Sequence, residues 1–274
     1  MAMKNFKLII EYDGTGFNGW QVQTGGRTVQ GEIEKALSRM AGRHVRIAGS
    51  GRTDAGVHAL GQVANFRCDT HLSAEVFFSG LNSLLPDDIV IHSCESVPEE
   101  FHARFDALGK TYHYRIINRM LPPAIGRQYA WWLRKPLDRD AMRHALPHIT
   151  GTHDFKAFEN VGSPRAHSIR TVFDAALETD ATGHELTLRI TANGFLRNMV
   201  RNIVGTLVEV GRLTLTPEDV AILREGKNRG DTPATAPPHG LFLMRVDYGN
   251  QSMKTPDVNI IPPIAEGIKN HEEP

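Results

Sequence analysis

Residues 6–12, FKLIIEY, and residues 28–42, TVQGEIEKALSRMAG, decide the fold between them. The first stretch reads as a strand, rich in apolar and β-branched residues. In the second, Thr28 is a helix N-cap and Val29, Ile33, Leu37 and Met40 fall on one face, with Gly42 as the closing residue. Further on, Val45 and Ile47 alternate in a short strand, and Val63 and Phe66 sit in another. Ser73 opens a second helix through Val76, Phe77, Leu81 and Leu84, stopped by Pro86. Residues 88–95, DIVIHSCE, supply a fourth strand. The order β-α-β-β-α-β is that of a ferredoxin-like unit.

The second half repeats the pattern with longer insertions. LGKTYHYRII (108–117) reads as a strand, a helix is expected near 138–149, and a strand pair near 168–179 and 184–192. The most apolar helix is predicted at 195–210, with Leu196, Met199, Val200, Ile203, Leu207 and Val210. Thr216-Pro217-Glu218 starts another helix, and Leu241–Tyr248 is the last strand. The expected class is therefore α+β, with two ferredoxin-like βαββαβ units and antiparallel or mixed sheets. The expected division is 1–105, 106–250 and a flexible tail, 251–274, which has four prolines and no period.

Composition narrows the class. At 274 residues, 41% hydrophobic and 23% charged, the chain has the make-up of a folded globular protein with a sizeable core. No apolar run approaches the ~18–20 residues of a membrane span. The opening MAMKNFKLIIEYDG offers only Leu8-Ile9-Ile10 as an apolar core, too short for a signal peptide. Cys68 and Cys94 read as small buried hydrophobes, and a reducing cytoplasmic compartment is expected.

Net charge is zero, but its distribution is uneven. Residues 104–170 carry 12 Lys or Arg against 5 Asp or Glu, whereas residues 1–103 carry 9 against 12. Arginine outnumbers lysine, 22 to 9. Guanidinium groups contact phosphate in a bidentate way and stack on bases. A basic stretch is by default a solvated face; a local polyanion-binding surface is the alternative.

The chemistry concentrates in Ser50-Gly51-Arg52-Thr53-Asp54-Ala55-Gly56-Val57-His58-Ala59. A carboxylate beside a guanidinium stays ionised and fixed, as a nucleophile at carbon must be. The plain reading is a tight turn with a surface ion pair. GRTDAGVHA closely resembles the signature loop of the tRNA pseudouridine synthase A family. Four further segments resemble that family in the same order: YDGTGFNGWQ-Q (12–23), KTYHYRI (110–116), FLRNMVRNIVGTLVEVG (195–211) and APPHGLFLMRVDY (236–248). The likeness spans about residues 5–248. Residues 150–167 look variable, and the tail has no counterpart.

The resemblance implies an enzyme that isomerises uridine to pseudouridine at nucleotides 38, 39 and 40 of the tRNA anticodon stem-loop. Asp54 matches the nucleophile, and Arg201 the arginine that pairs with it. Tyr112 matches the tyrosine that stacks on the target uracil and assists proton removal from C5. Without the match, a tyrosine in an alternating strand is core, and Arg197 and Arg201, four apart, would reach solvent. Arg52 is expected to face the substrate, and Leu241 and Leu243 to wall the uracil pocket, although leucine in a strand is core by default. The reaction detaches uracil from C1′ of ribose, turns it and reattaches it through C5, so no cofactor and no metal is implied. tRNA is the implied partner, family members are homodimers, and no membrane is involved. The resemblance also implies an RNA-binding cleft between the two units; the glycine-rich 13–19 segment lacks the order of a mononucleotide loop and is read as a loop over that cleft.

Two other classes compete. A metal-dependent hydrolase or deaminase would use some of the 13 histidines. His144 and His148 have the i, i+4 spacing, but Pro147 interrupts them and no HExxH glutamate intervenes. A non-catalytic RNA-binding module would keep the basic segment and the aromatics, with no need for Asp54 and its arginine. Metal analysis separates the first, and tritium release from 5-tritiated uridine the second. Whether Asp54 attacks C6 of uracil or C1′ of ribose stays open at the level of sequence.

Overall fold

The computed structural model describes residues 3–160, 162 and 167–249; the expected tail, 251–274, lies outside the described residues. The first unit runs β1 (Met3–Tyr12), α1 (Val29–Ala41), β2 (Ile47–Gly49), β3 (His58–Asp69), α2 (Ala74–Leu84) and β4 (Ile89–Val97). Local chemistry sets these boundaries. Thr28 accepts a hydrogen bond from Gly31 N at 3.3 Å, and Gly42 closes α1 in the left-handed region at φ +67. Ser73 caps α2 by accepting from Val76 N. Such caps contribute about 1 kcal/mol each. Val29, Ile33, Ala36 and Leu37 are the buried face of α1, in the spacing the sequence predicts.

The second unit comprises β5 (Gly109–Asn118), β6 (Trp131–Leu133), α3 (Arg139–Ala145), β7 (Gly151–Asp154), β8 (Ile169–Thr179), β9 (Glu185–Ala192), α4 (Met199–Gly211), α5 (Asp219–Gly226) and β10 (Leu241–Asp247). Short β6 and β7 carry too little periodicity to be read from sequence. The expected helix at 138–149 is α3 alone, because Pro147 turns the chain into a 3₁₀ segment, Leu146–Ile149.

The ten strands form one sheet in the order β4-β1-β3-β10-β5-β9-β8-β7, with β2 pairing with β3 and β6 with β5. Within the first unit the order β4-β1-β3-β2 is the ferredoxin-like arrangement. The second unit repeats it as β10-β5-β9-β8. The joint is β10, antiparallel to β5 and parallel to β3 through Phe242 opposite His58 and Leu243 opposite Ala59. Such a joint is possible because β3 is 12 residues long and β2 covers only its far end, at Ala64, Asn65 and Phe66. Gly61 allows the close approach: a Cβ there would lie 2.3 Å from the Met244 carbonyl oxygen.

Helix α4 is the centre of the second unit's core. Eleven of its 13 residues are buried, which leaves only Arg201 and Glu209 outside the interior. A helix apolar on nearly all sides must be covered on nearly all sides. Arg201, with its side chain only 14% exposed, is therefore placed for a reason other than solvation, whereas Glu209 pairs with Arg212 at 2.7 Å.

Candidate active site

The segment Ser50–Ala59 turns from β2 into β3 and is held mainly by its backbone. Ser50 N donates to Val63 O at 2.7 Å, and the Gln62 amide bridges Ser50 Oγ at 2.7 Å and Gly51 O at 3.0 Å. Lys110 Nζ, from β5, donates to Ser50 O at 2.7 Å. Thr53 accepts from Trp20 N at 3.1 Å and shares a 2.7 Å hydrogen bond with the buried Tyr12 hydroxyl. Val57 N then donates to Asp54 O at 3.1 Å, closing a turn around the carboxylate. Glycines of the 13–20 segment back this turn. Gly19, at φ +88, lies so close that a Cβ would be 2.6 Å from Thr53 O.

This frame leaves the Asp54 side chain about one-third exposed while fixing its main chain. Arg201 reaches it from α4, with Nη1 donating to Asp54 Oδ2 at 3.0 Å. The same guanidinium donates through Nε to the Ala236 carbonyl at 2.7 Å, so two anchors orient it. At 14% side-chain exposure Arg201 is largely withdrawn from water, which strengthens its hold on the carboxylate. The structure thus brings Arg201 and Asp54 into an ion pair across the two units. Arg197 is a correction. Helix α4 begins at Met199 after Asn198 in the left-handed conformation at φ 62, so Arg197 precedes the helix and does not share a face with Arg201. An αL residue breaks the helical register that the i, i+4 spacing assumes.

Tyr112 lies on β5 opposite Leu243 of β10 and Ile190 of β9. Opposite residues in antiparallel strands project to one face, so Tyr112 and Leu243 are neighbours on it. Phe195 meets the Tyr112 ring edge-on, with centroids 5.1 Å apart. The ring is 8% exposed, and burial, then the charges of Tyr12 and Asp54, push its phenol pKa upward. Its hydroxyl is therefore protonated at neutral pH. Leu241 lies opposite Tyr114, and both Leu241 and Leu243 are buried. Arg52 is exposed on the loop beside Asp54.

Several neighbours go unmarked by sequence reasoning. His58 ends the signature loop and is buried; its Nδ1 accepts from Gly14 N at 3.0 Å and lies 3.1 Å from Asp13 Oδ1. Tyr129, from the second unit, donates to Asp13 Oδ2 at 2.7 Å, and Phe242 stacks on the His58 ring at 4.7 Å. Burial holds the His58 pKa below its usual value, against the opposing pull of Asp13. His239 is likewise lowered, first by burial and further by the Arg201 charge. The only sequence signal for His58 is its place in the motif. Asp13 and His239 likewise lie within the segments 12–23 and 236–248 that resemble the family, whereas Tyr129 has no such signal, because tertiary folding alone brings it to Asp13.

The basic segment 104–170 divides on inspection. Arg115 pairs with Glu185 at 2.6 Å, Arg143 with Asp140 at 2.9 Å and Lys156 with Glu159 at 3.0 Å. Arg104, Arg127, Arg134 and Lys135 are exposed. Among the described residues, no helix is long and apolar enough to cross a membrane.

Comparison with known sequences places this pair of joined ferredoxin-like units in a family. The family of tRNA pseudouridine synthases matches residues 8–106 and 145–249. The chain is similar to tRNA pseudouridine synthase A 2 of Clostridium perfringens (strain 13 / Type A), at 45% identity over 246 residues, covering 90% of this chain and 100% of that one. It is 47% identical to tRNA pseudouridine synthase A of Geobacter sp. (strain M21) over 247 residues, covering 90% and 99%. With the homologue of Thermoanaerobacter sp. (strain X514), tRNA pseudouridine synthase A, it shares 43% over 246 residues, covering 90% and 100%. The chain belongs to the tRNA pseudouridine synthase family, and with it to the isomerases that act on tRNA.

Proposed function

We propose that this protein converts uridine to pseudouridine at nucleotides 38, 39 and 40 in the anticodon stem-loop of tRNA, with Asp54 as nucleophile. The observation that carries this reading is the 3.0 Å ion pair between Asp54 and Arg201, set in a turn beside Tyr112. Asp54 supplies an oxygen that bonds transiently to C6 of uracil or to C1′ of ribose. In either course the C1′–N1 bond breaks and a C1′–C5 bond forms. C5 loses its proton, N1 gains one, and the carboxylate is released unchanged. Atoms and electrons balance with no further reactant.

Arg201 holds the carboxylate in place and aims it. Tyr112 gives the displaced uracil an aromatic face in place of its former stacking, worth about 1–3 kcal/mol per base. Its hydroxyl takes part in proton transfer at C5. A protonated phenol can accept that proton only while passing its own onward. Leu241 and Leu243 close the apolar side of the pocket, and Arg52 meets the RNA backbone. Residues 1–105 act as the domain carrying the catalytic turn and 106–250 as the domain that completes it, with the RNA-binding cleft between them. The enzyme works in the cytoplasm as a homodimer, an arrangement suited to a bulky substrate.

The test is to treat unmodified tRNA transcripts with the protein and map pseudouridine by nucleotide. New pseudouridine at 38, 39 or 40 is expected. Modification confined to another region of the tRNA overturns the site, and release of no tritium from 5-tritiated uridine overturns the chemistry.

A further inference from the structure

We propose that Arg229 is a positioning residue for the isomerisation, acting on Asp54 through Arg201; the proposal rests on the function given above. Arg229 follows α5, is half-buried, and engages all three guanidinium nitrogens with neighbouring protein oxygens. Nε donates to Asn160 Oδ1 at 2.9 Å. Nη1 donates to the carbonyls of Thr232 at 3.0 Å and Pro233 at 3.1 Å, and to the Thr232 hydroxyl. Nη2 donates to Asn202 Oδ1 at 3.1 Å and Thr235 Oγ1 at 3.0 Å.

Every one of these acceptors is a neutral oxygen. Burial lowers the Arg229 pKa, and no opposing pull from a carboxylate accompanies it. Withdrawing a cation from water with only neutral partners is unfavourable compared with an uncharged side chain of similar size. What the guanidinium supplies in return is geometry. Its rigid planar fork of five N–H donors fixes oxygens from three separate segments at once, which neither lysine nor glutamine can do.

Those segments lead directly to the reacting group. Asn202 is the residue after Arg201 on α4 and is wholly buried. Thr235 Oγ1 donates to Asn202 Oδ1 at 2.7 Å, so Arg229 clamps Thr235 onto the helix. The adjoining Ala236 then exchanges two hydrogen bonds with Arg201: its N–H donates to Arg201 O at 3.1 Å and its carbonyl accepts from Arg201 Nε at 2.7 Å. The loop lies flat on the helix, since a Cβ at Gly205 would be 2.1 Å from Ala234 O. Without the clamp, the Ala236 carbonyl loses its fixed place and Arg201 keeps one anchor instead of two. Its hold on Asp54 then loosens by a fraction of the distance that costs about 10²-fold in rate when a reacting group is misplaced by 1 Å.

A double-mutant cycle tests this. Arg229→Gln, Thr235→Val, Arg201→Gln and the pair Arg229→Gln/Arg201→Gln are assayed for kcat and KM on unmodified tRNA transcript, with tRNA affinity measured separately. Arg229→Gln is expected to lower kcat about 10-fold to 10²-fold with KM and affinity nearly unchanged. Thr235→Val should shift kcat in the same direction by less. In the Arg201→Gln background, Arg229→Gln should add no further loss. Unchanged kcat, a loss carried by KM, or full additivity overturns the proposal. If Arg229→Gln does not fold, Thr235→Val, which removes one hydroxyl, decides by the same kcat criterion. A wild-type protein that makes no pseudouridine overturns the functional reading and this proposal together, whereas an active wild type with indifferent variants overturns this proposal alone.

Discussion

Arg201 and Asp54 stand 147 positions apart in sequence and 3.0 Å apart in space. One belongs to a helix in the core of the second unit and the other to a turn of the first. The site is therefore assembled only when both units are folded against each other. Asp54→Asn keeps the shape of the side chain and removes the carboxylate proposed as nucleophile. It should leave the fold and tRNA binding intact and reduce pseudouridine formation to background, with mass spectrometry used to exclude deamidation back to aspartate. Turnover above a trace in the intact variant would remove Asp54 from the chemistry.

In the proposed function Tyr112 has two separable jobs. Tyr112→Phe keeps the ring and removes the hydroxyl, so tRNA binding should be normal and the rate should fall by about 10²–10⁴, the usual contribution of general acid–base help. Tyr112→Ala removes both and also leaves a cavity against Phe195 and Leu243, destabilising the fold by about 3–5 kcal/mol. In the proposed course the covalent adduct forms before C5 loses its proton, so the Phe variant should still cleave the glycosidic bond. Near wild-type turnover in the Phe variant would leave stacking as the only role.

Gly19 reports on the frame behind Asp54. Its φ of +88 disfavours any side chain, and a Cβ would be 2.6 Å from Thr53 O and 3.1 Å from Ala55 N. Gly19→Ala should cost about 1–3 kcal/mol in chemical denaturation and lower kcat as well, because the strained segment is the turn that carries Asp54. A stable variant with full activity would mean that the turn is positioned from elsewhere.

Exposed arginines of the second unit should dominate RNA affinity. Arg127→Glu and Arg134→Glu are expected to weaken tRNA binding and to flatten its dependence on salt concentration, by about one unit of slope for each phosphate no longer neutralised. Reversal at the ion-paired Arg115 should instead act mainly on stability. Equal falls in affinity on reversing exposed arginines in residues 1–103 would show that the basic segment is not the footprint.

Most of the first unit is legible in the sequence. Thr28 and Ser73 cap their helices by the expected bonds, and the apolar face of α1 is the buried one, because capping and periodicity act within a few residues. The signature turn is legible for the same reason: its glycines and aspartate are contiguous. Periodicity places α4 four residues early, since nothing local announces that Asn198 adopts a left-handed conformation. The repeated unit is readable from the order of strands and helices. Its fusion into one sheet through β10 is not, because pairing of Phe242 with His58 depends on β3 outrunning β2.

Sequence by itself determined the elements and the duplicated ferredoxin-like pattern, which follow from short-range propensity and hydrophobic period, and it marked the Asp54 turn by contiguous residues that resemble the family's signature loop. Tertiary structure alone decided how that turn is armed. The second anchor of Arg201 on Ala236, the clamp of Arg229 on Thr235 and Asn202, and the hydrogen bond of Tyr129 to Asp13 join residues from separate segments. Such pairings have no sequence period. They exist because burial of polar groups in a packed core demands a hydrogen-bonding partner, and the fold, not the neighbouring residue, supplies it.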